Sequence, residues 1–108
     1  MVLHFSALVA ADGTQNLTVG AVAVTLTLPA AYVATTTHGL AIIQVRTAPI
    51  LYTLNGVAPI AADESTGTKV NAGETFQLDS IYEMQNLKMI RATATSGAVF
   101  VQYERHIN

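Results

Sequence analysis

Cysteine and tryptophan are both absent from the 108 residues of the chain. Without cysteine there is no disulfide staple, no thiolate metal site and no cysteine nucleophile, so stability has to come from packing or from assembly. Charge is scarce as well. Only 11% of residues are Asp, Glu, Lys or Arg while 51% are hydrophobic, against roughly 25% charged in an ordinary soluble domain. The five cations, Arg46, Lys69, Lys88, Arg91 and Arg105, are scattered and the net charge is −2. No basic stripe exists to release counterions from a polyanion, and no nucleic-acid partner is expected. Long apolar runs are also missing. The least polar stretch, Val19 to Val33, alternates in character and is broken by Thr25, Thr27 and Pro29, which suits a strand and not a membrane span; no membrane partner is expected. Met1-Val2-Leu3-His4-Phe5 has neither the basic start nor the sustained apolar run of a secretory leader, which places synthesis in a host cytoplasm. Asn16-Leu17-Thr18 fits the glycosylation pattern, but without a secretory route it reads as the polar start of a strand.

What the chain does have is period-two patterning, β-branched residues and fourteen threonines, which suit half-exposed strands far better than helices. Val2 to Val9 is expected to form a first strand, with a turn at Asp12-Gly13. From Asn16 to Leu28 the alternation is the longest in the chain: Val22, Val24, Leu26 and Leu28 share one face. That segment is expected to be a central strand, ended by Pro29. Thr35-Thr36-Thr37-His38-Gly39 then connects to a strand over Leu40 to Thr47. Pro49 bends the chain into Ile50 to Leu54, and Asn55-Gly56 gives the strongest local hairpin signal, with Val57 to Ala61 expected to pair back. Asp63 to Gly67 reads as a surface loop, Thr68 to Val70 and Thr75 to Leu78 as short edge strands about an Ala72-Gly73 turn. Ser80 with Glu83 three residues on predicts a capped helical piece over Ser80 to Asn86. Leu87 to Ala94 and Ala98 to Arg105, joined by Thr95-Ser96-Gly97, complete about eight short strands. The expectation is an all-β fold: a single domain over residues 1–108, a β-sandwich of jelly-roll type with one short helical turn.

The residue types that carry chemistry are dispersed. His4, His38 and His106 lie far apart with no carboxylate at a metal-binding spacing, so no metal and no cofactor is expected. Asp63-Glu64-Ser65-Thr66 offers too few oxygens at defined intervals for a calcium cage and reads as a solvated turn. None of Ser6, Ser65, Ser80 or Ser96 sits in a nucleophile-elbow pattern, and the seven glycines are spread among turns and not gathered into a phosphate-cradling loop. No enzyme activity is expected. Of Tyr32, Tyr52, Tyr82 and Tyr103, Tyr103 shares a face with Val99 and Val101, which points to core or interface packing, and Tyr82 is the candidate for exposure.

From Leu40 onward the chain resembles small tailed-phage virion proteins of the capsid decoration, or cement, class. The likeness rests on Ala41-Ile42-Ile43-Gln44-Val45-Arg46-Thr47, on Leu51-Tyr52-Thr53-Leu54-Asn55-Gly56-Val57-Ala58-Pro59, on Val70-Asn71-Ala72-Gly73-Glu74-Thr75-Phe76-Gln77-Leu78, and on a last pair of segments, expected as a hairpin, running from Met89-Ile90-Arg91-Ala92-Thr93 to Val99-Phe100-Val101-Gln102-Tyr103. It spans about two thirds of the chain. The resemblance implies a non-enzymatic, β-rich homo-oligomer, a trimer in that class, that binds the major capsid protein or other virion subunits at the capsid surface. A tail, neck or fibre component is the alternative within the same class, and a carbohydrate-binding adhesin the alternative outside it. Burial by neighbours fits the shortage of charge, because homo-oligomer interfaces are apolar at their centre; a Thr- and Ala-rich neutral surface is the other explanation. Chain ends fray unless tied down, and the ends are the expected contact segments: Met1, Val2, Leu3, His4 and Phe5 at one, Tyr103, Arg105, His106, Ile107 and Asn108 at the other.

Overall fold

Alternation of apolar and polar residues builds most of the observed structure. The computed structural model describes residues 9–30, 32 and 39–106, with side chains described over 13–30, 32 and 39–104. Within them run seven strands, β1 (Val9–Val19), β2 (Gly39–Arg46), β3 (Ile50–Thr53), β4 (Thr68–Val70), β5 (Thr75–Leu78), β6 (Lys88–Arg91) and β7 (Gly97–His106), together with a 3-10 turn at Glu64–Thr66 and the helix α1 (Ile81–Asn86). In β2, Ala41, Ile43 and Val45 are fully buried while Leu40, Ile42 and Gln44 are half-buried on the opposite face. β7 repeats the pattern with Val99, Val101 and Tyr103 inward. The register sets Ala41 against Tyr103, Ile43 against Val101 and Val45 against Val99, so two matched apolar rows line one side of the sheet.

All pairings are antiparallel. One sheet has the order β1-β7-β2-β5 and the other β4-β3-β6. Beyond β6 the chain supplies a fourth position: Val24 and Met89 exchange backbone hydrogen bonds of 2.9 Å each way, and Arg91 N donates to Gly20 O at 2.9 Å. The segment Gly20–Leu28 therefore occupies the place of an eighth strand beside β6. With it, the two sheets read β1-β7-β2-β5 and Gly20–Leu28-β6-β3-β4, with the chain crossing between sheets at nearly every connection, which is the jelly-roll wrap. One core cluster lies between them, drawing Ile43, Val45, Val99 and Val101 from the first sheet and Ile50, Val70, Leu87 and Met89 from the second. A smaller cluster, Leu51, Ile90 and Ala92 packed by Ala23 and Ala61, sits on the other face of the second sheet.

Four expectations change. Asp12-Gly13 is not a turn: β1 continues through it with a register irregularity between Ala11 and Gly13, where Gly13 has φ 127, a bulge using the conformational freedom of glycine. Asn16 to Leu28 is not one central strand. β1 is an edge strand that ends at Val19, after which the chain leaves for the other sheet; Leu26 enters the core, Val24 and Leu28 pack against it, and Val22 is 78% exposed. The Asn55-Gly56 reversal forms, with Gly56 at φ 79 and Val57 N bonded to Asn55 Oδ1 at 3.0 Å. Val57 to Ala61 makes no ladder, because β4 and β6 already occupy both sides of β3. Finally, β6 and β7 form no hairpin: Thr95-Ser96-Gly97 joins different sheets, and β7 is bonded on its two sides by β1 and β2.

The capped helix forms at its expected place. Ser80 Oγ accepts from Glu83 N at 3.1 Å, and Glu83 Oε1 accepts from Asp79 N at 3.1 Å, satisfying two otherwise orphan donors. Met84 anchors α1 in the core. The expected strand over Val2 to Val9 lies, but for Val9, outside the described residues.

Candidate interaction surface

Of the polar residues that sequence reasoning considered for chemistry, Asp63, Glu64, Ser65, Thr66 and Ser80 are engaged in local structure. Asp63 Oδ1 accepts from Ser65 N at 3.1 Å and from Ser65 Oγ at 2.6 Å, and these bonds, the side-chain one first, hold its carboxyl below the usual carboxylate range. Thr66 Oγ1 donates to Asp63 O at 2.7 Å and accepts from Ile60 N at 2.8 Å. Lys69 Nζ pairs with Glu64 Oε2 at 3.1 Å on the surface. The loop oxygens thus cap a 3-10 turn. Ser80 caps α1. Among the described residues no three of His, Asp and Glu gather where they could hold a metal ion, and no helix is long and apolar enough to cross a membrane.

The expected contact residues divide. Met1, Val2, Leu3, His4, Phe5, Ile107 and Asn108 lie outside the described residues, as does His38; Arg105 and His106 are placed by their backbone at the end of β7. Tyr103 is inside the subunit, with 2% of its surface exposed. Its ring meets Tyr32 edge-on at 5.9 Å, and its hydroxyl donates to Gln15 Oε1 at 2.8 Å. Burial pushes its pKa up to about 12. The side chain of Tyr103 is therefore spent on the subunit's own core, as its alternation with Val99 and Val101 predicts. Tyr82, on α1, is 71% exposed.

What the fold brings together is a face that no single segment announces. On the outer side of the four-stranded sheet, Asn16, Phe100, Gln44 and Thr75 stand in one row across β1, β7, β2 and β5; Thr14, Gln102, Ile42 and Gln77 form the next row, and Thr18, Ala98 and Arg46 a third. Arg46 lies over the Phe100 ring, 4.9 Å from its centroid, and donates from Nε to Gln44 Oε1 at 3.0 Å, a cation–π contact that orients the guanidinium. Gln102 Nε2 reaches Glu104 Oε2 at 2.6 Å. The three rows hold one charged residue, Arg46. They present amides, hydroxyls, one aromatic ring and Ile42, an array able to bind a flat partner through neutral hydrogen bonds and apolar contact, with no nucleophile or acid–base pair among them. Each strand's polar alternation, such as Thr14, Asn16 and Thr18, is the signal for its outward face; the rows emerge only from knowing which strands are neighbours.

The chain matches no family model, no curated protein and no solved structure.

Proposed function

We propose that the protein is a non-enzymatic virion component, a capsid decoration protein that binds the assembled shell as a homo-oligomer and stabilises it. The observation that carries this reading is the outer face of the β1-β7-β2-β5 sheet, broad and almost free of charge in a chain already short of it. The resemblance over Ala41 to Tyr103 supplies the virion context, and a jelly roll is a frame common among capsid proteins. The mechanism is mass action: a ligand of the assembled lattice that ignores separated subunits stabilises the lattice by RT ln(1 + [L]/Kd), about 2.7 kcal/mol per site at 100 times Kd. A glycan-binding reading draws on the same amides around Phe100. Against it, the Arg46 guanidinium covers the ring on which a sugar would stack.

The test is co-sedimentation of the purified protein with expanded, empty shells of the cognate phage. Shell binding is expected, and Ile42→Lys, which places a charge in the middle of the outer face, should weaken it at least about tenfold, equivalent to about 1.4 kcal/mol. Binding that is absent, or indifferent to Ile42→Lys, overturns the proposal. Ring or fibre assembly without shell binding assigns the protein to a tail, neck or fibre instead.

A further inference from the structure

Sheet edges expose unpaired backbone donors and acceptors, and a protein that stays single blunts them with lysine, proline, shortness or a cover. Among the described residues the lateral edges β4 and β5 are dealt with in that way, by shortness and charge. Beside β6 the edge is the segment Gly20–Leu28, which is held by hydrogen bonds at Gly20 and Val24 and forms no regular strand that a second chain could extend. The edge strand β4 is three residues long and carries Lys69. The edge strand β5 is four residues long, between Glu74 and Asp79. β1 differs. It is eleven residues long, and from Gly13 to Val19 it contains neither charge nor proline. Its bulge falls between Ala11 and Gly13, so the stretch from Thr14 to Val19 keeps a continuous register. Among the described residues no backbone hydrogen bond reaches β1 from the side away from β7. The segment that passes closest bonds a side chain instead, Thr27 N donating to Gln15 Oε1 at 3.2 Å.

We infer that the edge of β1 over Thr14–Val19 is an interface for a second copy of this chain, paired antiparallel to its own β1 about a two-fold axis. Identity is the argument for that occupant. An isologous contact requires a surface complementary to itself, and an uncharged strand meets its copy without like-charge repulsion, whereas β4 would oppose Lys69 to Lys69. Two antiparallel copies are related by an axis normal to the sheet, so side chains keep their faces: Thr14, Asn16 and Thr18 of one copy meet the same outward set of the other. Opposed threonines are favourable cross-strand partners. The union makes one eight-stranded sheet with the two outer faces side by side, doubling the platform offered to a partner. This deepens the homo-oligomer part of the proposed function and rests on that part alone.

Light scattering on the full chain tests it. The wild type is expected at twice the 11.4 kDa chain mass, or at an even multiple. Asn16 is exposed on the outward face, so Asn16→Lys and Asn16→Glu leave the core untouched; each alone should weaken dimerisation at least tenfold, and an equimolar mixture should recover the dimer as a Lys–Glu heterodimer. Val57→Lys, in the exposed turn after β3 and on neither the outer face nor the β1 edge, should leave the mass unchanged. Thr18→Lys replaces Asn16→Lys if circular dichroism shows that variant unfolded. A wild type that stays monomeric at hundreds of micromolar, or a trimer whose mass Asn16→Lys does not move, overturns the inference. A shell-binding trimer would do so while leaving the decoration role intact, so the two failures are distinguishable.

Discussion

Replacing Tyr103 with phenylalanine removes one part-buried hydroxyl on the β1 side of the sandwich and leaves the ring against Tyr32. The hydroxyl donates to Gln15 Oε1 at 2.8 Å, and the same oxygen accepts from Thr27 N at 3.2 Å. One amide side chain thereby ties the last strand to the first strand and to the segment that crosses to the other sheet. Because Thr27 still satisfies Gln15 in the variant, the loss at pH 8 should be that of a single hydrogen bond, about 1 kcal/mol. At alkaline pH the comparison reverses. Burial raises the Tyr103 pKa from the ordinary 10.0 to about 12, so the fold favours the neutral phenol. That contribution is intact below the unfolded value and is lost as pH rises through the folded one. At about 1.4 kcal/mol per unit this is a loss of roughly 2 kcal/mol between pH 10 and pH 12. Tyr103→Phe has no such proton to lose. The stability curves of wild type and variant, from urea unfolding at fixed pH between 8 and 12, should therefore cross between pH 10 and pH 11, where the wild type has lost about 1 kcal/mol through this group. Curves that stay parallel across this range would refute the claim that Tyr103 is a buried, hydrogen-bonded phenol of the core.

Two further substitutions probe the frame. A methyl group at Gly97 would lie 2.5 Å from Ala48 O and 3.1 Å from Ile50 Cγ2, so Gly97→Ala must displace backbone at the corner between β2 and β3; a loss of about 3 kcal/mol is expected, seen as a lower urea midpoint with an unchanged slope. Ser80→Ala should cost about 1 kcal/mol by freeing the N–H of Glu83, again by urea unfolding, and an effect within error of zero would show that the packing of Ile81 and Met84 holds α1 without this cap.

The parts of the fold that the sequence makes legible are those where a residue's partners are local or its face is decided by burial alone. Ser80 and Glu83 specify a cap within four residues, and the cap forms. In β2 and β7, Ala41, Ile43, Val45, Val99, Val101 and Tyr103 alternate because both strands lie between neighbours with one face on the core. The same alternation misleads at Asn16 to Leu28. Core-facing residues are the odd positions Leu17 and Val19 in β1 and the even positions Val24, Leu26 and Leu28 after the crossing, with Val22 exposed between them, so the alternation in the sequence runs on where the strand and its inner face do not. Asn55-Gly56 likewise encodes its turn but not the vacancy that a returning strand needs; whether β3 has a free side depends on residues 68–70 and 88–91. The outer face was hidden for the same reason. Asn16, Phe100 and Gln44 are adjacent only through the order β1-β7-β2.

The scarcity of charge acquires a location once these contacts are known. Asp63 caps its turn and Glu64 holds Lys69; Glu74 accepts from Asn71 N at 2.7 Å, Asp79 from Gln77 Nε2 at 2.6 Å, and Glu83 from Asp79 N. Arg46 lies flat on Phe100. These charges serve turns, caps and a ring, which leaves Arg46 as the one charge in the three rows of the outer face and none on the β1 edge from Gly13 to Val19. Two explanations then separate. If the neutral surface is merely hydroxyl-rich and solvated, a lysine at position 42 or 16 alters no assembly, since a solvated face loses nothing by gaining a charge. If neighbours cover it, each lysine must be desolvated on binding, and the two act differently. Ile42→Lys, in the middle of the face, weakens docking on the shell. Asn16→Lys, beside the two-fold axis, weakens the pairing of copies. Separate effects of these two outward-facing substitutions, one on docking and one on pairing, would assign the face and the edge to different partners, a separation that low charge by itself does not supply.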